Sequence, residues 1–328
     1  MVAISRPLSS VQSGVRPFDV QRDLDAVANL VEQCFADTLD AEGRRYIQFM
    51  HDAARNPSYL RWAVSYPDQV SMPMAGFVWE EDGQLVGNLS LIPFSHQGQR
   101  FYLIANVAVN AHYRRKGIAR SLTLAALEHL QRQGIPTVWL HVWEGNQAAL
   151  NLYQSVGFAE RARRTAWECT ETGWGTTPLK ESHGGISITS RRASHWLQQD
   201  KWLREVYPAE IAWQLPFNFA MLRPGAYGLI HRFLKGSPVK HWAALRGDCL
   251  LGVLTWLPLS SSTENLWLAT DQENEDETIS ILLPYVRTQF KKGRRLLLDY
   301  PAGRAAQALH QSGFYPRQTL IWMEMRLR

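Results

Sequence analysis

The chain has 328 residues, of which 45% are hydrophobic and 20% charged, a balance that excludes global disorder. It is too long for one ordinary core of ~100–200 residues, so two domains are expected. The net charge of +5 is uneven: residues 1–172 hold 16 basic and 17 acidic side chains, residues 173–328 hold 19 and 13. So mild an excess predicts no nucleic-acid partner.

No run of 18 apolar residues marks a membrane span, and Met1–Pro7 lacks the apolar region of a signal peptide. Cys34, Cys169 and Cys249 are widely spaced and form no CxxC pair. A disulfide framework and a structural zinc are therefore not expected. The ten histidines form no HxxxH or HExxH pattern, so no metal site is expected either. Together these features predict a reduced, cytoplasmic protein with no membrane partner. They leave the oligomeric state open.

Along the first half, residues 21–35 and 41–54 read as helices. Met74–Glu80 and Gln84–Pro93 read as strands joined by the hairpin turn Glu81-Asp82-Gly83, and Arg100–Val109 as a third strand. A helix follows from Ile118 to Gln133, with Leu122, Ala126 and Leu130 on one face, and Gly134 and Pro136 stop it. Thr137–Trp143 is a β-rich run. Asn146 then caps a helix to Ser155 that Gly157 ends, and Arg161–Thr170 is a last strand. Two helices, antiparallel strands and a β-α-β-α-β run make a mixed α/β sheet.

The pattern repeats. Leu85-Val-Gly-Asn-Leu-Ser-Leu-Ile-Pro93 returns as Leu250-Leu-Gly-Val-Leu-Thr-Trp-Leu-Pro258. Ala148–Phe158 returns, one residue shorter, as Ala305–Phe314. Two matches in one order mean two copies of one domain. The turn-rich stretch Gly173–Gly185 divides them, giving domains at 1–172 and 186–328.

Val107-Ala-Val-Asn-Ala-His-Tyr-Arg-Arg-Lys-Gly-Ile-Ala-Arg120 joins an apolar strand to a helix through a basic turn. The N–H groups of a first helical turn are unspent, and the helix dipole favours negative charge there. Gly117 admits a ligand close to the backbone, and Ala119 is the next smallest choice. Arg114, Arg115, Lys116 and Arg120 add positive charge. A phosphate or pyrophosphate is the natural occupant. A tight turn with solvated basic side chains is the plainer alternative.

Arg114-x-x-Gly117-x-Ala119 after an apolar strand resembles the R/Q-x-x-G-x-G/A motif of the GNAT superfamily, the acetyl-coenzyme A-dependent N-acyltransferases. Asn146-x-x-Ala149-x-x-Leu152-Tyr153-x-x-x-Gly157-Phe158 is similar to a second segment of the same family. Over Leu85–Phe158 the likeness is to its ribosomal-protein N-terminal acetyltransferase branch. The resemblance implies tandem GNAT-like domains of the α/β (α+β) class. Each would be a mixed, mostly antiparallel sheet flanked by helices, with a splayed strand pair forming the cofactor cleft. Acetyl-coenzyme A would be the cosubstrate, with no metal. Val107, Ala108 and Val109 would pair with the pantetheine arm, and the backbone from Arg115 through Lys116, Gly117, Ile118 and Ala119 to Arg120 would hold the pyrophosphate. Asn146 would approach the pantetheine end, besides capping its helix.

Tyr153 is the expected general acid. A thiol has pKa ~8.5 and a phenol ~10, so a phenol beside the sulfur can protonate the departing thiolate. Many family members carry a Glu on the third strand as base; here that position is Leu103. A water chain, His141, Glu144 or Glu80 are the alternatives. The second copy has lost the turn: Thr270-Asp-Gln-Glu-Asn-Glu-Asp-Glu-Thr278 has no Gly and five acidic residues, and His310 stands for Tyr153. Carboxylates there would repel a pyrophosphate. That copy is expected to be structural, or a wall of the acceptor site.

The expected function is direct acetyl transfer in a ternary complex to a primary amine: a small amine, an amino acid or a protein N-terminus. The alternatives are a non-catalytic acyl-coenzyme A sensor and an acyltransferase using a longer acyl chain.

Overall fold

A computed structural model describes residues 13–37, 39, 41–66, 70, 72–96, 98–171, 185–215, 217–225, 239–258 and 263–327. The expected linker 173–185 lies outside them except for Gly185. The first repeat runs β1 (Gly14–Pro17), α1 (Val20–Phe35), α2 (Ala41–Ala54), α3 (Pro57–Ser65), β2 (Ala75–Glu81), β3 (Gln84–His96), β4 (Gln99–Val109), α4 (Ile118–Arg132), β5 (Thr137–Trp143), α5 (Gln147–Ser155) and β6 (Ala159–Cys169). Two elements are additions to the sequence reading. β1 is four residues with no alternation to read. α3 begins at Pro57 behind Asn56, whose side chain accepts from the Tyr59 N–H at 3.0 Å.

The second repeat runs β7 (Ile186–Ser190), α6 (Trp196–Val206), α7 (Ala209–Ala212), β8 (Lys240–Arg246), β9 (Cys249–Leu257), β10 (Thr263–Thr270), α8 (Glu275–Arg287), β11 (Arg295–Pro301), α9 (Ala306–Gln311) and β12 (Tyr315–Arg326). Its strands match those of the first repeat one for one.

Packing divides the chain into two compact units. One holds the described residues up to His141, with Gln147–Ala159 and the stretch from Met323; the other holds Val142–Asn146 and the described residues of Glu160–Trp322. The repeat and the packing unit are therefore different divisions. β6 ends the first repeat but pairs antiparallel with β11 of the second, Leu296 facing Cys169 through Pro301 facing Arg164. β12 ends the second repeat, yet its last residues belong to the first unit, where Leu327 N–H donates to the Pro136 carbonyl at 2.9 Å.

In the first unit, β1 to β4 form an antiparallel meander. α1, α2 and α3 bury Leu24, Val27, Val31, Ile47, Met50 and Leu60 in a core that includes Val78 and Ala108 of the sheet. α4 covers the opposite face, where Gly87 lies under Ile118 and Leu122. β5 runs parallel to β4, but only Tyr102–Ile104 pair with Val138–Leu140. β4 continues to Val109, so the two strands separate past that rung. The second unit repeats the geometry: β10 pairs with β11 over Thr263–Leu266 and runs on to Thr270. In both units the strand pairing is mixed and mostly antiparallel, with helices flanking it, as the resemblance implied.

Candidate active site

The basic turn lies where β4 and β5 have parted. Asn110 starts it: its side chain accepts from the His112 N–H at 3.1 Å, fixing a 3-10 turn over Ala111–Tyr113. Arg115 (φ +63°) and Gly117 (φ +82°) then take left-handed backbone conformations that swing the chain into α4. A Cβ built at Gly117 would meet nothing within 4 Å, so the space beside this backbone is open. Among the described residues, the backbone N–H groups of residues 115–120 donate to no protein acceptor; the first intrahelical bond is Ser121 N–H to the Gly117 carbonyl, 2.9 Å. These unspent donors and the positive end of the helix dipole converge on one open place.

The cationic side chains are partly engaged. Arg114 Nε donates to the Val109 carbonyl at 3.1 Å. Lys116 Nζ lies 4.7 Å from the centre of the Tyr113 ring. Arg120 Nη1 donates to Ser155 Oγ at 2.9 Å, tying the first turn of α4 to the last turn of α5. The Val109 carbonyl also accepts from Cys34 Sγ at 3.4 Å, so its two lone pairs are taken. Val107, Ala108 and Val109 form the free-running end of β4, with Ala108 buried. Ile118 and the Ala119 backbone belong to the first turn of α4; Ile118 is buried against β3, and the Ala119 carbonyl accepts from Thr123 Oγ1 at 2.8 Å.

Tyr153 is carried by α5 and buried, its ring edge-on to Phe158 at 5.9 Å. Its hydroxyl makes no hydrogen bond to a described residue. Burial disfavours the phenolate and pushes the pKa up to about 12. The group is a proton donor throughout the physiological range. Asn146 directly precedes α5, and its N–H donates to the Trp143 carbonyl at 2.9 Å; it belongs to the second unit, whereas every other expected site residue belongs to the first.

The three candidate bases are separated by their surroundings. Glu80 is held by Arg16 Nε at 2.7 Å and Arg22 Nη2 at 2.9 Å. The Arg16 hydrogen bond keeps its carboxyl below the usual range, making it a poor proton acceptor. Glu144 is ion-paired with Arg163. His141 is the first β5 residue past the Ile104–Leu140 rung, at the mouth of the opening. The residue is exposed, and desolvation holds its pKa below the ordinary 6.5. That lowered pKa favours the neutral imidazole at pH 7.

The corresponding place in the second unit is filled. Glu275 is the first residue of α8, and its buried carboxylate accepts from Arg304 Nη2 at 2.6 Å, Arg304 Nε at 3.3 Å and the Tyr300 hydroxyl. A carboxylate of the chain itself thus sits at the helix start. Among the described residues, no three His, Cys, Asp or Glu side chains cluster as a metal would need, and no helix is long and apolar enough to cross a membrane.

Residues 29–158 match the model of the Acetyltransferase (GNAT) family. The [Ribosomal protein bS18]-alanine N-acetyltransferase of Escherichia coli is 38% identical over 68 residues, which cover 21% of this chain and 46% of that protein. A mycothiol acetyltransferase of Renibacterium salmoninarum is 31% identical over 117 residues, 34% of each chain. The chain thus spans less than half the length of the curated relatives it matches. In structure it is similar to a GCN5-related N-acetyltransferase of Sphaerobacter thermophilus, with a TM-score of 0.57, 13% identity and 96% of both chains covered. That likeness concerns the fold.

Proposed function

We propose that this chain, whose residues 29–158 match the Acetyltransferase (GNAT) family model, is an N-acetyltransferase that moves an acetyl group from acetyl-coenzyme A to a primary amine in a ternary complex. The observation that carries this reading is the run of unspent N–H groups at 115–120 around the open side of Gly117. A diphosphate fits such a site: it supplies several acceptor oxygens, and Arg115, Lys116 and Arg120 offset its charge. Val107 and the N–H of Val109 offer strand-like pairing to the extended arm of the cofactor; the Val109 carbonyl is already engaged. Bound there, the coenzyme would supply an activated acyl thioester.

His141 takes the proton of the entering amine, filling the role that Leu103 leaves vacant on β4. The amine nitrogen forms the new C–N bond as the C–S bond breaks. Tyr153 gives its proton to the departing sulfur. The burial that raises the phenol pKa raises the basicity of a neighbouring thiolate in the same sense, so the transfer stays feasible. The net result is an amide and a free thiol, with His141 and Tyr153 reset through solvent.

Only the first unit would bind the coenzyme. Glu275 at the start of α8, held by Arg304, supports a structural role for the second. The matched relatives act, by their names, on a ribosomal-protein alanine and on mycothiol, which is consistent with an amine acceptor of either kind. Calorimetry with coenzyme A, then thiol release from acetyl-coenzyme A over a panel of amines and peptide N-termini, tests the reading. Saturable uptake and amine-dependent release are expected. Uptake without release from any amine would make the protein a binder rather than a transferase.

A further inference from the structure

Arg120 is a cation in an unfavourable place for its own helix. It is the third residue of α4, whose first turn holds no acidic side chain. The positive pole of a helix disfavours a cation there. The second unit makes the opposite choice, since α8 begins Glu275-Asp276-Glu277. Among the described residues no carboxylate pairs with Arg120.

Its hydrogen bond is to a neutral group. Nη1 donates to Ser155 Oγ at 2.9 Å, and the same hydroxyl donates to the Leu152 carbonyl at 2.7 Å. Ser155 ends α5, and Leu152 lies in its last turn, next to Tyr153. The guanidinium therefore rests at the negative pole of α5, where a cation is favoured. Its Nε and Nη2 donate to no described residue. Helical side chains lean toward the N-terminus of their helix, so Arg120 leans back over the turn at Gly117. Five donors in a flat fork let one guanidinium meet two acceptors at once. Arg120 and Ser155 are both exposed, and an exposed polar contact of this kind contributes little to stability. What it does is join the basic turn to the helix of Tyr153, within the first unit.

We propose that Arg120 is a positioning residue that bridges the cofactor turn to Tyr153. Nη1 stays on Ser155 while Nε and Nη2 face the diphosphate. Ser155 sets the guanidinium in place before the cofactor arrives, and the bound diphosphate in turn fixes the last turn of α5. This inference rests on the reading of the first unit as a coenzyme-dependent acyltransferase with Tyr153 as proton donor.

Three variants separate the parts. Ser155→Ala removes the hold, Ser155→Thr keeps the hydroxyl, and Arg120→Lys keeps the charge without the fork. Calorimetry with coenzyme A, and with ADP as a diphosphate that lacks the pantetheine arm, is read beside kcat and melting temperature. Ser155→Ala is expected to weaken both ligands about three-fold or more and to lower kcat by a similar factor, at an unchanged melting temperature. Ser155→Thr should restore both. Arg120→Lys should lower kcat as far as Ser155→Ala does, and the double variant should lose no more than either alone. Tighter binding in Ser155→Ala overturns the proposal, because Ser155 would then compete with the diphosphate for Arg120. An unchanged kcat in Ser155→Ala overturns it too, whatever the affinity does, as do a lower melting temperature and losses that add in the double variant, the marks of a merely structural contact. Failure of the unaltered protein to take up coenzyme A overturns the underlying reading and this inference with it; uptake with indifferent variants overturns the inference alone.

Discussion

A Cβ built at Gly87 of β3 would stand 2.8 Å from Cγ2 of Ile118, the first residue of α4. The helix start can lie this close to the sheet only because β3 has no side chain there. The second repeat does the same: a Cβ at Gly252 of β9 would stand 2.6 Å from Thr278 Cγ2 in the first turn of α8. Gly87→Val should therefore displace the donors at 115–120 and weaken coenzyme A binding about ten-fold or more. Gly252→Ala should lower the melting temperature and leave that affinity unchanged. Calorimetry and thermal denaturation of both variants check the contrast.

Gly117 has room for a side chain but a backbone conformation that disfavours one. Gly117→Ala should cost ~1 kcal/mol through its left-handed φ rather than through crowding. Gly117→Glu adds a carboxylate at the position proposed for the diphosphate and should abolish measurable uptake of coenzyme A. An isotherm unchanged by the Glu substitution would remove this turn from the cofactor site.

Tyr153→Phe should reduce turnover ten-fold or more while the coenzyme Kd stays within about two-fold. The hydroxyl makes no bond to a described residue, so stability should hardly change. A variant that turns over at the normal rate would take Tyr153 out of the chemistry.

The pH profile follows from two opposite shifts. His141 must be neutral to accept a proton, and desolvation places its pKa below 6.5. Turnover should fall as pH drops through that lowered value and stay level through neutrality. Tyr153 must stay protonated, and its pKa of about 12 imposes no alkaline limit within the usual range. In His141→Ala the acid limb should move up toward the pKa of the amine itself, ~8 to 10.4 for N-terminal and lysine-like amines. A profile unmoved by that substitution would point to a water chain as the base.

Glu275→Gln leaves Arg304 and Tyr300 without their carboxylate in the second unit. Arg304 keeps some contact with solvent, so the loss should be about 1–3 kcal/mol rather than the full cost of a buried unpaired charge. Urea denaturation reads the loss. Coenzyme stoichiometry should stay at one per chain in both proteins.

Much of this was legible in short stretches of chain. The alternation of residues 84–93, the face made by Leu122, Ala126 and Leu130, and the stops at Gly134 and Gly157 are local signals, and their elements stand within a few residues of where the sequence put them. The basic turn was legible because its Gly and its four cationic residues stand together in the chain between a strand and a helix. The choice among bases was not. Glu80 reads as an available carboxylate until Arg16 and Arg22, 64 and 58 residues away, are seen to hold it. His141 reads as one histidine among ten until the last rung of β4 and β5 is known.

The order of residues alone determined the duplicated α/β plan, the basic turn of the first copy and its replacement by an acidic stretch in the second, because propensity, periodicity and charge act over neighbours in the chain. Tertiary structure alone decided that β6 pairs with β11 of the other repeat and that the end of β12 joins the first unit. A strand's alternation specifies which face is buried but not which edge it borders. It also decided that Arg120 of α4 meets Ser155 of α5, since hydrogen bonds between distant segments leave no periodic trace in a sequence.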